Sequence, residues 1–257
     1  MAKDVHQAVR EVCLWLPEAQ EFLSHGAPNF RVRGKTFATY VVNHHGDGRV
    51  ALWLPAPAGG QEHHLRADPR SFFVPPYVGV RGWLGVRLDG RLSWQCIAEL
   101  VREAYLHVGP RALRGRVGPA PRIKAPVRKL SASDIDPLKS PRSRAVLETL
   151  RKICLRLPEA SEGTQFGHPV WKAGARTFAL ARHDGDRLLA CFWVGADQQG
   201  LLTADERFRI PPYIGHNGWI GLDVTRHCRA AEVAALALQS YRHFALRRML
   251  RELADRP

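Results

Sequence analysis

Pro75-Pro76-Tyr77-Val78-Gly79-Val80-Arg81-Gly82-Trp83-Leu84-Gly85 and Pro211-Pro212-Tyr213-Ile214-Gly215-His216-Asn217-Gly218-Trp219-Ile220-Gly221 are one stretch written twice. Two prolines, a tyrosine, three glycines and a tryptophan recur at identical spacing, and only Val80-Arg81 against His216-Asn217 breaks the likeness. Prolines fix φ and remove amide donors, whereas glycines admit positive φ or close backbone approach. The stretch therefore predicts an irregular turn feeding a strand, once in each half of the chain.

The likeness reaches further in both directions. Cys13-Leu14-Trp15-Leu16-Pro17-Glu18-Ala19 matches Cys154-Leu155-Arg156-Leu157-Pro158-Glu159-Ala160 at an offset of 141, as do Gly26, Pro28, Thr36, Phe37 and Ala38 against Gly167, Pro169, Thr177, Phe178 and Ala179. At Pro75 and Pro211 the offset is 136, so the first copy holds five extra residues, expected in the loop Pro55–Gly60. A period this long with two copies means tandem domains. At 257 residues each copy is large enough to bury its own core.

Apolar residues at helical spacing predict helices over 5–16 and 146–157, stopped by Pro17 and Pro158. Phe30 to Arg33, the turn at Gly34 and Lys35 to Val42 predict a hairpin, with Val50 to Leu54 as the next strand. Residues 63–68 read as a short helix or turn, followed by strands over 71–74 and 84–88. Long amphipathic helices close the copies, from Ser93 to His107 and from about Ala230 to Ala254, with Arg247, Arg248, Arg251 and Arg256 near the end of the chain. Each copy thus reads α-β3-α-β2-α, an α+β fold with an antiparallel sheet packed by helices. The boundaries expected are 1–108 and 144–257 for the copies, with 109–143 between them. That middle segment is rich in proline and arginine and reads as an extended, solvated tether.

The net charge is +14, of which +8 lies between Pro110 and Arg144, so the folded copies are expected to be less basic than the total. Such charge suggests an anionic partner. No apolar run approaches membrane-spanning length and no signal-peptide core opens the chain, so the expectation is a cytoplasmic protein without membrane contact. Cys13 and Cys154 read as small core residues. The pairs His44-His45 and His63-His64 lack metal-ligand spacing and read as surface histidines. Glu18 and Glu21, with their counterparts Glu159 and Glu162, read as a solvated loop. No nucleophile elbow, P-loop, dinucleotide fingerprint or metal set occurs, so neither catalysis nor a cofactor is expected.

In combination, the motif Phe-Gly-x-Pro-x-aromatic-Lys at Phe166 to Lys172, Arg176-Thr177-Phe178-Ala179, the two Pro-Pro-Tyr stretches and the closing helices resemble the MmcQ/YjbR family. The first copy departs from the pattern at 22–27 and the second at 223–226. The resemblance implies small α+β domains similar to frataxin-like and secretion-chaperone-like folds. It also implies DNA binding through a double-wing arrangement of the sheet. On that reading Arg31, Arg33, Lys35 and Arg81 in the first copy, and Lys172, Arg176 and His216 in the second, would meet phosphates. Tyr77, Tyr213, Trp83 and Trp219 would stack on bases if exposed, although the tryptophans read better as core. The extra cations of the first copy make it the expected tighter binder. A protein-interaction module using the open sheet face is the alternative, and a monomer with two pseudo-equivalent domains the expected state.

Overall fold

Helix α1 (Val5–Leu14) starts at a reciprocal cap, in which the Asp4 carboxylate accepts from the Gln7 amide (2.8 Å) and the Gln7 side chain accepts from the Asp4 amide (3.0 Å). Its apolar face, Val5, Ala8, Val9, Val12 and Cys13, is buried. These features belong to a computed structural model that describes residues 3–128 and 130–255. Within it the chain divides into two units, one running to Ile135 and one beginning at Asp136.

After α1 the first unit forms β1 (Ala19–Ser24), β2 (Ala27–Val32), β3 (Lys35–Val42), β4 (Val50–Pro55), helix α2 (Gly60–Ala67), β5 (Phe72–Phe73), β6 (Trp83–Arg87) and helix α3 (Trp94–Val108). The sheet is antiparallel, in the order β1-β2-β3-β4-β6-β5. It holds one strand more than expected. Residues 19–24, read as loop, pair with β2 from Ala19–Val32 to Ser24–Ala27. Ser93 caps α3 by accepting from the Cys96 amide (3.2 Å). Phe30, Val32, Phe37, Leu52, Leu84 and Val86 of the sheet are buried in one core with Val9 and Val12 of α1 and Ile97, Val101 and Tyr105 of α3.

The second unit repeats the order as α6 (Pro141–Cys154), β7 (Ala160–Gln165), β8 (His168–Ala173), β9 (Arg176–Asp184), β10 (Arg187–Trp193), α7 (Ala196–Leu202), β11 (Phe208–Arg209), β12 (Trp219–Asp223) and α8 (Ala230–Phe244). Its sheet order is β7-β8-β9-β10-β12-β11. Individual interactions recur as well. Tyr105 and Tyr241 lie edge-on to Phe37 and Phe178, in both cases with centroids 5.3 Å apart, and their hydroxyls donate to the carbonyls of Pro17 (2.7 Å) and Pro158 (2.6 Å). The same β-bulge interrupts β2 at Phe30/Arg31 and β8 at Trp171/Lys172.

Register relocates the five extra residues of the first copy. Thr39 pairs with Trp53, and its counterpart Leu180 with Cys191, so the offset is already 138 in β4 and β10. Three of the five therefore lie in the β3–β4 connection, which carries His44 and His45, and two lie between α2 and Pro75. None falls at Pro55–Gly60.

The expected tether is corrected too. Short helices α4 (Arg111–Arg114) and α5 (Ala132–Ile135) lie in it, and Leu113 is 2% exposed within the first core. Ala120 is buried, Val117, Ile123, Leu130 and Ile135 pack on the same core, and the Val127 amide donates to the Lys3 carbonyl (3.1 Å). Proline-rich composition hid these apolar anchors. At the end of the chain the single long helix expected breaks at Ala245-Leu246 into α8 and α9 (Arg247–Ala254). Met249 of α9 is fully buried and stands 136 residues after Leu113, so α4 and α9 are repeat equivalents. Arg256 lies outside the described residues. Leu113→Ala in the full chain should cost about 2–5 kcal/mol in the unfolding of the first unit by urea; a melt like that of the parent chain is what a solvated tether would give.

Candidate functional site

The face of each sheet turned away from the helices is roofed by the Pro-Pro-Tyr loop. In the first unit Val41, Ala51 and Trp53 are buried there with Phe73, Val78 and Trp83; in the second, Leu189, Cys191 and Trp219 are buried with Trp193, Ile214 and Phe244. Trp219 is 8% exposed, as core, whereas Trp83 is only half-buried.

Backbone conformation explains the motif. The Gly79 and Gly215 amides donate to the carbonyls of Pro75 and Pro211, both at 2.9 Å. A Cβ at Gly79 would stand 2.4 Å from Val74 Cγ1, and one at Gly215 2.2 Å from Ile210 Cγ2, so no side chain fits. Gly82 and Gly218 end the 3₁₀ turns Gly79–Arg81 and Gly215–Asn217 with φ of +78° and +81°. A carboxamide, buried in the first unit and half-buried in the second, then holds each turn closed. Gln61 Nε2 of α2 donates to the carbonyls of Gly79 (2.9 Å) and Trp83, and Gln199 Nε2 of α7 to those of Gly215 (2.7 Å) and Trp219 (2.6 Å). The two glutamines are 138 residues apart, between the matching blocks, and so are invisible to a comparison at either offset.

At the crest of each loop the tyrosine takes a left-handed backbone, with φ of 64° at Tyr77 and 71° at Tyr213. Such geometry costs a non-glycine residue about 1–3 kcal/mol. The rings gain little burial in return, since Tyr77 is 66% and Tyr213 67% exposed. Val74 and Ile210 stand exposed beside them.

The two crests differ in their surroundings. The longer β3–β4 connection sets His45 Nε2 2.7 Å from the Tyr77 hydroxyl, and the His44 and His45 rings both lie edge-on to Tyr77 with centroids 5.9 Å away. His44 also sits edge-on to Trp53, and burial, followed by the charge of His45, holds its pKa below the ordinary histidine value. Among the described residues Tyr213 has no ring partner and no hydroxyl partner.

The seven expected contact residues divide four and three between the two units. Lys35, at the start of β3, and Arg81, in the turn before β6, are both exposed at the same end of the first sheet. Arg31 lies on the roofed face of the sheet with its guanidinium 4.8 Å from the Phe22 ring centroid. Arg33, at φ 43° in the β2–β3 turn, is bidentate to Glu18 (2.8 and 3.2 Å), and that bond holds the Glu18 carboxyl below its usual range. Its counterpart is Gly174, and Glu159 is met instead by Arg248 of α9. Lys172 is half-buried on β8, while Arg176 and His216 are exposed. Lys35, Arg81, Lys172 and Arg176 have no ion pair among the described residues.

Two cations were missed in the second unit. Arg182 stands where the first unit has Val41, with Nη1 3.5 Å from the Pro212 carbonyl and a buried Nε that no acceptor meets. Arg209, exposed, stands where the first unit has Phe73. Only the register shows that both lie on the face beneath the Tyr213 loop. The basic middle segment packs on the first unit, so the segment up to Ile135 holds 19 Lys and Arg against 11 Asp and Glu, net +8, of which +6 comes from residues 110–135, and the remainder 19 against 13, net +6. Among the described residues no group of three or more His, Cys, Asp or Glu is placed to hold a metal ion. Burial pushes the Cys154 and Cys191 thiols up to about 12.

The sequence model of the YjbR family matches residues 14–107 and 155–243. A crystal structure of the Deinococcus radiodurans protein DR2400, with domain DUF419, is 24% identical to this chain, covering 45% of it and 88% of its own length with a TM-score of 0.38. No curated protein matches the sequence. No helix among the described residues is long and apolar enough to cross a membrane.

Orphaning a buried carbonyl costs about 1–3 kcal/mol, so Gln61→Leu and Gln199→Leu should each destabilise their unit by that order in urea unfolding. Gln199→Glu should be worse at neutral pH, where an ionised carboxylate has no proton to donate, and should recover as acid restores one. Equal melts for all three variants would show that the carboxamides do not hold the turns.

Proposed function

The chain belongs to the YjbR family, and we propose that both of its units bind DNA weakly, through the phosphate backbone and without catalysis. The observation that carries this reading is the set of free cations in two net-basic units. Lys35 and Arg81 flank one end of the first sheet, and Lys172 and Arg176 lie on the corresponding hairpin of the second, all without a carboxylate partner among the described residues. An unpaired cation at a surface keeps its full attraction for a phosphate, whereas Arg33 must first give up Glu18. The ring of Arg31 partners is apolar, so its charge remains available at the sheet face. His216 adds an exposed donor at the turn.

Binding of this kind carries little sequence information, since phosphate contacts set register and orientation rather than base identity. In a titration of the full chain with duplex DNA at several salt concentrations, Lys35→Gln, Arg81→Gln and Arg176→Gln should each lower the slope of log K against log salt by about 0.9. Arg33→Gln should change it less, because its charge is already balanced. Absence of duplex binding even at low salt would contradict the reading. So would unchanged slopes in all three variants together with loss of binding on neutralising Arg122 and Lys124, which would move the anion site to the segment after α4.

A further inference from the structure

Both tyrosine crests are built by the same turn and are equally exposed, but they differ in what stands beside the ring. We propose that the second unit holds a site for single-stranded nucleic acid, in which Tyr213 stacks on an unpaired base while Arg182 and Arg209 take the flanking phosphates. The inference rests on the nucleic-acid reading above and reverses the expectation that the first unit binds more tightly.

Three observations carry it. Tyr213 keeps a left-handed backbone at 67% exposure, and among the described residues no aromatic ring meets it and no partner bonds its hydroxyl. At the first crest, the edges of His44 and His45 occupy the flank of Tyr77 and His45 holds its hydroxyl. The second crest also has two cations at positions where the first has none, although in the first unit Arg49, paired with Asp47, lies over the Phe73 ring (4.3 Å). Arg182 reaches the carbonyl of the residue before Tyr213 and still has a buried, unmet N–H, and Arg209 stands one residue before Ile210 on the strand that enters the loop. In the first unit these positions hold Val41 and Phe73, which are apolar.

The ligand class follows from the chemistry. An exposed aromatic face stacks on any base but needs that base unpaired, and a guanidinium beside it neutralises the adjoining phosphate. A duplex buries its base faces in its own stack, so it offers Tyr213 nothing.

The test is fluorescence anisotropy of the full chain with a labelled oligothymidine and with a duplex of equal length. The parent chain should prefer the single strand. Tyr213→Ala should weaken single-strand binding about 5- to 150-fold and leave duplex binding within about twofold. Tyr213→Phe should bind like the parent. Tyr213→Gly, which keeps the left-handed backbone at less strain, should melt no lower than the parent and bind as poorly as Tyr213→Ala, separating loss of the ring from loss of the fold. Tyr77→Ala should cost less than Tyr213→Ala. Arg182→Gln and Arg209→Gln should each reduce the single-strand salt slope by about 0.7. If the parent binds DNA but Tyr213→Ala and Tyr213→Gly bind oligothymidine as it does, the stacking site is wrong and the backbone reading stands. If the parent binds neither strand form at low salt, both fall.

Discussion

A single carboxamide in each unit, donating two hydrogen bonds to backbone carbonyls, fixes the turn from which the rest of the open face follows. Gln61 and Gln199 tie the start of the glycine turn to the first residue of the following strand. That strand, β6 or β12, lies between two others, so its entry point sets the register of the sheet edge. The turn in turn bears on where the proline pair lies, and the tyrosine between the second proline and Val78 or Ile214 is held left-handed. Backbone strain at the crest is thus over-determined by its neighbours, which is how such strain persists in a folded chain.

From that common frame the two units diverge through a few side chains. Three additional residues in one hairpin connection bring a histidine pair beside the first crest, while the ring of the second has no aromatic neighbour and Arg182 reaches the carbonyl before it. The same economy is seen where Glu18 and Glu159 find their cations. One takes Arg33 from the adjacent turn, the other Arg248 from a helix that follows α8. In the first of these, a cation that looks free along the chain is already committed. The basic character itself sits on folded surface, because the arginine-rich stretch to Ile135 is held down by Leu113 and Ala120.

Much of this was legible along the chain. The repeated Pro-Pro-Tyr stretch marked two equivalent units, and helical spacing placed α1 and α3 within two residues, whereas α6 begins five residues before the expected start. Strands β1 and β7 escaped because sheet-edge strands need only a partner for their backbone, and Gln20, Glu21, Ser161, Glu162 and Thr164 show no apolar alternation. The anchors Leu113 and Met249 are single apolar residues among arginines, which composition averages away. Gln61 and Gln199 were illegible for a different reason: a tertiary hydrogen bond leaves no local period, and their spacing fell between the two offsets that the matching blocks defined. The free ring of Tyr213 and the cations below it depend on which face of the sheet each residue takes, and only strand register supplies that.

Photo-crosslinking tests the central claim, that the tyrosine crest is where this protein meets its ligand. A single-stranded oligonucleotide carrying photoactivatable pyrimidines would be irradiated with the full chain and the adducts located by peptide mass spectrometry. The account requires adducts on the peptide holding Tyr213, weaker ones at Tyr77, and loss of the former in Tyr213→Gly. Adducts confined to residues 109–135 or to helices α3 and α8, with both tyrosine loops unmodified, would contradict it.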